Sequence, residues 1–464
     1  MISHCMKRFR ICCETRSIRV PCRDFVGQYI ANRYKTTVCP NDESDPTRML
    51  LELCVNGFYV APGQVHTDLF QRGMCCNYGP LGVELKKNLL EQWWSSIKRS
   101  RTQVFGISTL TTGDEKSGEG NPSLDVERLN QLLDADEFNK AQRTQRILML
   151  LRQSTSLRTN LLQGALEQYI SWLELVNRRL PFGLAETGLS FQPDGSGSRA
   201  EATYASLVWF CSPRSSSQWL DHWARLRLQW WRKFALAPSE FSSRDVQVDE
   251  LQEGASRGVK IVYSFPWGQE TLENLWSLGD SDLLQTHGGV RAKIQCFDGQ
   301  KLVVPHVISV VSNMDRSMMA YMHNSLQLMK KHDGKQKLYR RKVNIRMCYG
   351  VLKLHPVLAP VKVALDMGRG ATLEQRQVCD GLLQEFLDAG ISAWPGSIDI
   401  TSSAEKLNTK YDEMGVLFTM VIDENTLESG VLQVRSRDTT IRESKHISEV
   451  KGFLLRYMRA AHNM

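Results

Sequence analysis

Tyr78-Gly-Pro-Leu-Gly-Val-Glu-Leu-Lys-Lys-Asn88, with Trp93-Trp94 close behind, is the stretch that decides how this chain folds. Gly79-Pro-Leu-Gly82 predicts a turn. Val83, Leu85, Leu89, Leu90, Trp93 and Trp94 then recur mostly three or four residues apart, which predicts an amphipathic helix over 83–98. Such a helix needs a partner surface for its tryptophans. Upstream, a folded region begins near Met49; downstream, the Gly- and Ser-rich run 111–122 reads as an exposed connector.

The rest of the composition is ordinary for a globular protein. The chain has 464 residues, 42% hydrophobic and 23% charged, with a net charge of +8. At about 100–200 residues per domain, that length predicts two to four domains. No apolar run approaches the roughly 18–20 residues of a membrane span, so a soluble protein with no membrane partner is expected. The twelve cysteines include no C-x-x-C pair. Free thiols in a reducing interior are therefore expected, with no zinc ribbon.

The positive charge is uneven. Residues 1–37 carry eight Lys and Arg against Glu14 and Asp24, a net of +6. Arg-rich and acid-poor, with scattered apolar residues, is the composition of an organellar transit peptide, or else of a basic tail for acidic partners. The acidic, turn-forming segment 40–46 then marks a boundary. Residues 330–342 hold seven Lys and Arg against one Asp, again +6, and lack an apolar period, which predicts a basic loop or linker. Outside these two segments the chain sums to −4.

Residues 123–180 are nearly free of Gly and Pro. Leu157, Leu161, Leu162, Ala165, Leu166, Tyr169, Leu173, Val176 and Leu180 predict one long helical stripe ended by Pro181. A helical hairpin of this kind must pack on its parent domain or on a second copy. Beyond it, 205–211, 259–263 and 302–304 predict strands. Trp219, Leu220, Trp223, Leu226, Trp230 and Phe234 predict one apolar helix face between them, for which core packing is favoured over base stacking. The strands 361–365, 416–422 and 431–434 with helices 373–389 and 447–460 describe a small C-terminal α/β domain.

Spacing alone offers no active site. There is no P-loop, no H-E-x-x-H and no G-x-S-x-G. Gly368-Arg-Gly370 lacks the third glycine of a dinucleotide fingerprint. No metal, nucleotide or other cofactor is expected.

The opening stretch resembles the first signature region of class II glycyl-tRNA synthetases. Leu358-Ala-Pro-Val-Lys-Val-Ala-Leu365, Lys410-Tyr-Asp-Glu-Met-Gly415 and Arg435-Ser-Arg-Asp-Thr-Thr440 are similar to the anticodon-binding domain of the same class. The resemblance implies an α+β fold: a synthetase-like antiparallel-sheet domain with a helical insertion, plus a C-terminal α/β anticodon-binding-like domain. The expected division is a transit peptide and acidic linker (1–46), a discontinuous synthetase-like domain (47–115 and 181–342), a helical insertion (116–180) and the anticodon-binding-like domain (343–464).

Departures from the family decide the expected function. The family grips the ATP α-phosphate with the Arg of a Phe-Arg-x-Glu segment, a charge-assisted bond that no neutral side chain replaces. Here the segment is Phe191-Gln-Pro-Asp194, with Gln192 in place of that Arg. The later Pro-His-Val-Ile-Glu strand and glycine-rich turn read Pro305-His-Val-Ile-Ser-Val-Val-Ser-Asn-Met-Asp-Arg316. Arg316 survives, Ser309 replaces the Glu, and Asn313 and Asp315 fill glycine positions. The resemblance thus implies a synthetase fold without its chemistry. Leu207-Val-Trp-Phe210, Gln218-Trp-Leu-Asp221, Leu228-Gln-Trp-Trp-Arg-Lys-Phe234, Phe265-Pro-Trp-Gly268 and Leu352-Lys-Leu-His-Pro356 are similar to the accessory subunits of animal mitochondrial DNA polymerase. That family implies a non-catalytic homodimer that binds the catalytic polymerase subunit and double-stranded DNA without sequence preference, and raises processivity. The alternative is a mitochondrial glycyl-tRNA synthetase with divergent ATP segments. Candidate DNA contacts are Lys330, Lys331, Lys335, Lys337, Arg340, Arg341 and Lys342, and secondarily Arg225, Arg232 and Lys233. Arg435, Arg437 and Asp438 are candidate polymerase contacts, against the alternative of an internal ion-pair network.

Overall fold

The computed structural model describes residues 46–61, 76–100, 103–113, 121–122, 156–193, 199–330, 348–367, 370–395 and 404–463, with positions 131, 139, 142, 144–147 and 149. The chain forms α1 (Pro46–Asn56) and, past the turn at Gly79, α2 (Pro80–Ser100). Proline suits the first helical position, where its missing N–H has no intrahelical partner to lose. Leu85, Leu89, Trp93 and Ile97 follow at intervals of four and are all buried, so α2 turns one stripe inward. Val83, expected on that stripe, is 52% exposed; it lies two residues before Leu85, about 200° round the helix. A Cβ at Gly82 would sit 2.1 Å from the Tyr59 carbonyl oxygen. The start of α2 therefore crosses that backbone where only glycine fits.

The stripe goes against a seven-stranded sheet. After β1 (Val104–Gly106), three two-residue strands, β2 (Thr112–Gly113), β3 (Asn121–Pro122) and β4 (Ser156–Leu157), make a small sheet of their own. Then come α3 (Leu162–Trp172), β5 (Phe182–Pro193), β6 (Arg199–Cys211), α4 (Ser216–Lys233), β7 (Phe241–Asp245), β8 (Arg257–Phe265) and β9 (Gly268–Gly279). Two short helices, α5 (Ser281–Thr286) and α6 (Arg291–Ile294), and the hairpin β10 (Cys296–Asp298) with β11 (Lys301–Val303) lead to β12 (His306–Asn313). The main sheet runs β1-β5-β6-β12-β9-β8-β7, antiparallel throughout except for the β1–β5 pair. Helix α4 packs Leu220, Trp223, Trp230 and Phe234 into the core as its spacing predicts, with Trp219 and Leu226 half-buried.

The long stripe expected over 157–180 is broken up. Leu157 lies in β4, α3 takes the middle, and a 3-10 turn at Glu174–Val176 runs into Asn177 and Arg178 at φ 48° and 53°. Two residues in the left-handed region stop a helix before Pro181 is reached. The inner face of α3 packs inside the molecule. Tyr169 stacks on Phe182 and donates its hydroxyl to the Ile294 carbonyl at 2.8 Å. Most of 123–155 lies outside the described residues.

Helix α7 (Met314–Ser325) follows β12 directly, and β13 (Leu326–Lys330) pairs with β14 (Cys348–Leu352). The C-terminal elements are β15 (Val363–Asp366), α8 (Leu373–Asp388), β16 (Ala393–Trp394), α9 (Ala404–Glu413), β17 (Phe418–Val421), α10 (Glu424–Ser429), β18 (Val431–Ser436), β19 (Arg442–His446) and α11 (Ile447–Asn463). Their sheet runs β16-β15-β17-β18-β19, parallel over its first three strands and antiparallel beyond. The strands and helices expected here all form. One apolar cluster joins this sheet to the larger one. Polar ties cross the same boundary: Tyr59 donates its hydroxyl to the Met414 carbonyl at 2.9 Å, and Asn88 donates to the Leu358 carbonyl at 3.1 Å.

Candidate functional site

The residues that the resemblance matches to the ATP-holding segments of a synthetase meet partners within the chain. Ser309 is buried in mid-β12, between Val208 of β6 and Trp276 of β9. Asn313 caps α7, its side chain accepting from the Arg316 backbone N–H at 3.0 Å. Asp315, in the first turn of α7, is buried and meets three donors. The Tyr78 hydroxyl (2.5 Å) and Lys86 Nζ (2.7 Å) reach Oδ1, and the Thr203 backbone N–H (2.6 Å) reaches Oδ2. Arg316 pairs with Glu270 at 2.9 Å, and Glu270 also accepts from the Trp267 indole at 2.6 Å. The retained arginine therefore already has a carboxylate, and a second carboxylate occupies the neighbouring turn. A polyphosphate brought here would face both. Gln192 pairs with Ala200 near the end of the β5–β6 hairpin, and Asp194 lies outside the described residues. The sequence points to Asp315 and Arg316 but not to Lys86, Tyr78 or Glu270; only the fold brings residues so distant in the chain to one place.

The basic segment is placed at its ends. Lys330 is the last residue of β13 and pairs with Cys348, so the segment between them leaves and re-enters at one hairpin end. Lys331, Lys335, Lys337, Arg340, Arg341 and Lys342 lie outside the described residues. The three basic residues of α4 are each engaged differently. Arg225 is exposed, its Nε donating to the Asp221 carbonyl one turn back at 3.4 Å. Arg232 donates twice to the Phe241 carbonyl, at 2.9 and 2.8 Å. Lys233 reaches across to the His462 carbonyl at the end of α11, at 3.0 Å. Arg225 and Arg232 are both exposed, and Arg232 also serves the Phe241 carbonyl.

The candidates for polymerase contact are turned inward. Arg435 makes a two-pronged bond to Asp412, both arms at 2.8 Å, and is 8% exposed. Arg437, 3% exposed, donates to the carbonyls of Leu352 (3.1 Å), Gly415 (3.0 Å) and Leu354 (2.9 Å) and pairs with Asp438. Arg435 lies in β18, an inner strand between β17 and β19, and Arg437 is the first residue beyond it; a guanidinium buried there needs buried acceptors. The internal-network alternative describes these two arginines, and Asp438 is the half-exposed member of the set.

Two further buried groups escape sequence reasoning. Lys362 donates to the carbonyls of Ala359 (2.6 Å), Pro356 (2.7 Å) and Val357 (3.2 Å), and burial pulls its ammonium down to about 7. Nearby His355 is brought to about 4, first by burial and then by the charges of Lys233, Lys362, His462 and Arg437. Under the main sheet, Glu273 accepts from Arg227 (2.8 Å), Trp231 (2.6 Å) and Ser312 (2.6 Å) with no exposed surface of its own. Arg227 also lies 4.2 Å from the centre of the Trp230 ring.

Known proteins agree with this geometry. A family model described as "Anticodon binding domain" matches residues 357–457, the C-terminal sheet and its helices. The DNA polymerase subunit gamma-2 of Mus musculus is 45% identical, over 97% of this chain and 98% of its own length. The mitochondrial DNA polymerase subunit gamma-2 of Xenopus laevis is 43% identical, over 90% of this chain and 88% of its own. A glycine–tRNA ligase of Mycolicibacterium paratuberculosis is 24% identical over 82% of this chain and 91% of its own length. The near relatives carry the polymerase name, and the more distant one carries the name of a glycine–tRNA ligase.

Proposed function

The chain belongs to the DNA polymerase subunit gamma-2 family, and we propose that it serves there as a non-catalytic subunit that binds the catalytic polymerase and double-stranded DNA and raises processivity. The observation that carries this reading is the match along nearly the whole chain, joined to an adenylate position occupied by Asp315 with Lys86 and by Arg316 with Glu270. Mitochondrial location follows from the relatives' name. We place the protein in the matrix, at the nucleoid, with residues 1–46 as import peptide and acidic linker.

A processivity factor lowers the rate at which polymerase leaves DNA, by adding contacts and bracing the enzyme. The bonds between the two domains, from Tyr59, Asn88 and Lys233, supply the stiffness such a brace needs. DNA contact falls to the Lys330–Lys342 segment, with Arg225 as a secondary contact. It should be phosphate-directed and indifferent to sequence. The four-part domain division above accompanies this reading, since the 342/343 boundary falls within the β13–β14 connection. The insertion and α3 would meet a second copy: Trp172 and Leu175 are exposed on the α3 side, and Leu110 and Leu189 are exposed nearby. Polymerase contact is assigned to the outer surface of the C-terminal domain, including Asp438, rather than to Arg435 or Arg437.

The test is primer extension by the catalytic subunit at rising salt, with and without this chain. Longer products that persist to higher salt are expected; unchanged product length counts against the proposal. Replacing the seven Lys and Arg of 330–342 should flatten the salt dependence of DNA binding, by about 0.9 in slope for each phosphate left without its cation. Glycine-dependent ATP–pyrophosphate exchange would instead restore the synthetase alternative.

A further inference from the structure

Three donors from two separate parts of the fold converge on one buried carboxylate. Tyr78 precedes α2, Lys86 lies within it, and Thr203 belongs to β6; all three face Asp315 of α7 at 2.5–2.7 Å. The Asp315 side chain is 5% exposed and that of Lys86 20%, and the Lys86 ammonium also lies 4.9 Å from the centre of the Tyr78 ring. Without that carboxylate, an ammonium, a phenol and a peptide N–H would still point at one largely dry position. Mixed charged and neutral donors of this kind, fixed by the backbone, make an oxyanion site.

We propose that Asp315 is the built-in occupant of an anion cradle, an intramolecular carboxylate standing where a free oxyanion of the formate, acetate or phosphate type would otherwise bind. Tethered to α7, it acts at an effective concentration that a dissolved anion cannot match. The cradle is therefore closed to solution anions, and its binding energy draws α2, β6 and α7 together. This inference stands apart from the polymerase reading, since it needs neither DNA nor a partner chain.

The experiment is chemical rescue. Asp315→Ala empties the cradle and should lower the melting temperature of the full chain by about 5 °C. Sodium formate or phosphate should recover at least half of that loss, relative to sodium chloride at matched ionic strength. The wild type should respond equally to all three salts. Adding Lys86→Met to Asp315→Ala should abolish the rescue. Asp315→Asn, which fills the position with a neutral amide, should be destabilised yet indifferent to formate. Should Asp315→Ala fail to fold during expression, its refolding yield is measured instead, and formate should raise it over chloride. The proposal is overturned if formate and phosphate act no better than chloride on Asp315→Ala, or if the Lys86→Met double variant is rescued equally well.

Discussion

Arg437→Met is the substitution that separates a buried strut from a surface contact. In the structure the guanidinium serves three carbonyls, those of Leu352 and Leu354 at and just past the end of β14 and of Gly415 just past α9. Its side chain is 2% exposed, and Asp438 is paired with it at 2.8 Å. A hydrogen bond from a charged donor contributes about 1.5–3 kcal/mol, so three of them offset much of the cost of burying the charge. Methionine fills the volume but leaves three buried carbonyls without donors, and the net loss should be about 3–5 kcal/mol. With a denaturant slope of about 2 kcal/mol per molar for a domain of this size, the urea midpoint should fall by about 2 M. Arg437→Lys should recover part of this, because one ammonium cannot span the three acceptors that a planar fork reaches. The assay is urea unfolding followed by circular dichroism, alongside binding to the catalytic polymerase subunit at a temperature where the variant is folded. An unchanged midpoint with a tenfold or larger loss of polymerase affinity would refute the structural assignment and return Arg437 to the partner surface.

Gly82→Ala should destabilise by about 1–3 kcal/mol or more in thermal melts, since its methyl would press on the Tyr59 backbone rather than on a movable side chain. Glu273→Gln leaves Arg227 buried against a neutral amide and should cost about 3–5 kcal/mol, whereas replacing both partners with apolar residues should recover most of it in the same chemical unfolding series. The ammonium of Lys362 is held down to about 7 in the folded chain, against 10.5 as its ordinary value. Between those values the unfolded chain binds the extra proton, so stability should climb with pH relative to Lys362→Met; parallel pH profiles for the two proteins would contradict this. His355, lowered to about 4, acts in the same sense in acid: stability should fall as pH drops from about 6.5 towards 4, and His355→Phe should remove that slope. Gln192→Arg should leave the chain without glycine-dependent ATP–pyrophosphate exchange, because Asp315 and Glu270 remain in place.

The fold class, the C-terminal strands and helices, and the Gln192 that stands where the resemblance expects an arginine are all legible in the sequence. Those features are local: an apolar stripe at intervals of four in α2, short apolar runs in β15, β17 and β18, and a single substituted position at Gln192. It predicted β6 and β8 because their apolar runs are dense. It held no sign of β9, whose Gly268–Gly279 stretch mixes glutamates with leucines and becomes a strand by pairing on both sides with β8 and β12. It extended the 157–180 stripe into one helix because apolar spacing persists through a segment that Asn177 and Arg178 end by adopting left-handed backbone.

What tertiary structure decided was the use to which each charge is put. Arg435 and Arg437 look like surface cations in a polar run, and they become buried struts because Asp412 and the carbonyls of Leu352, Leu354 and Gly415 pack around them. Arg227 and Glu273 are 46 residues apart and meet under the sheet. Asp315 reads as a broken glycine turn until Tyr78, Lys86 and Thr203 close around it from as far as 237 residues away. Local pattern records how a segment folds; which charge meets which depends on where distant segments pack, and burial then compels each charge to find a partner.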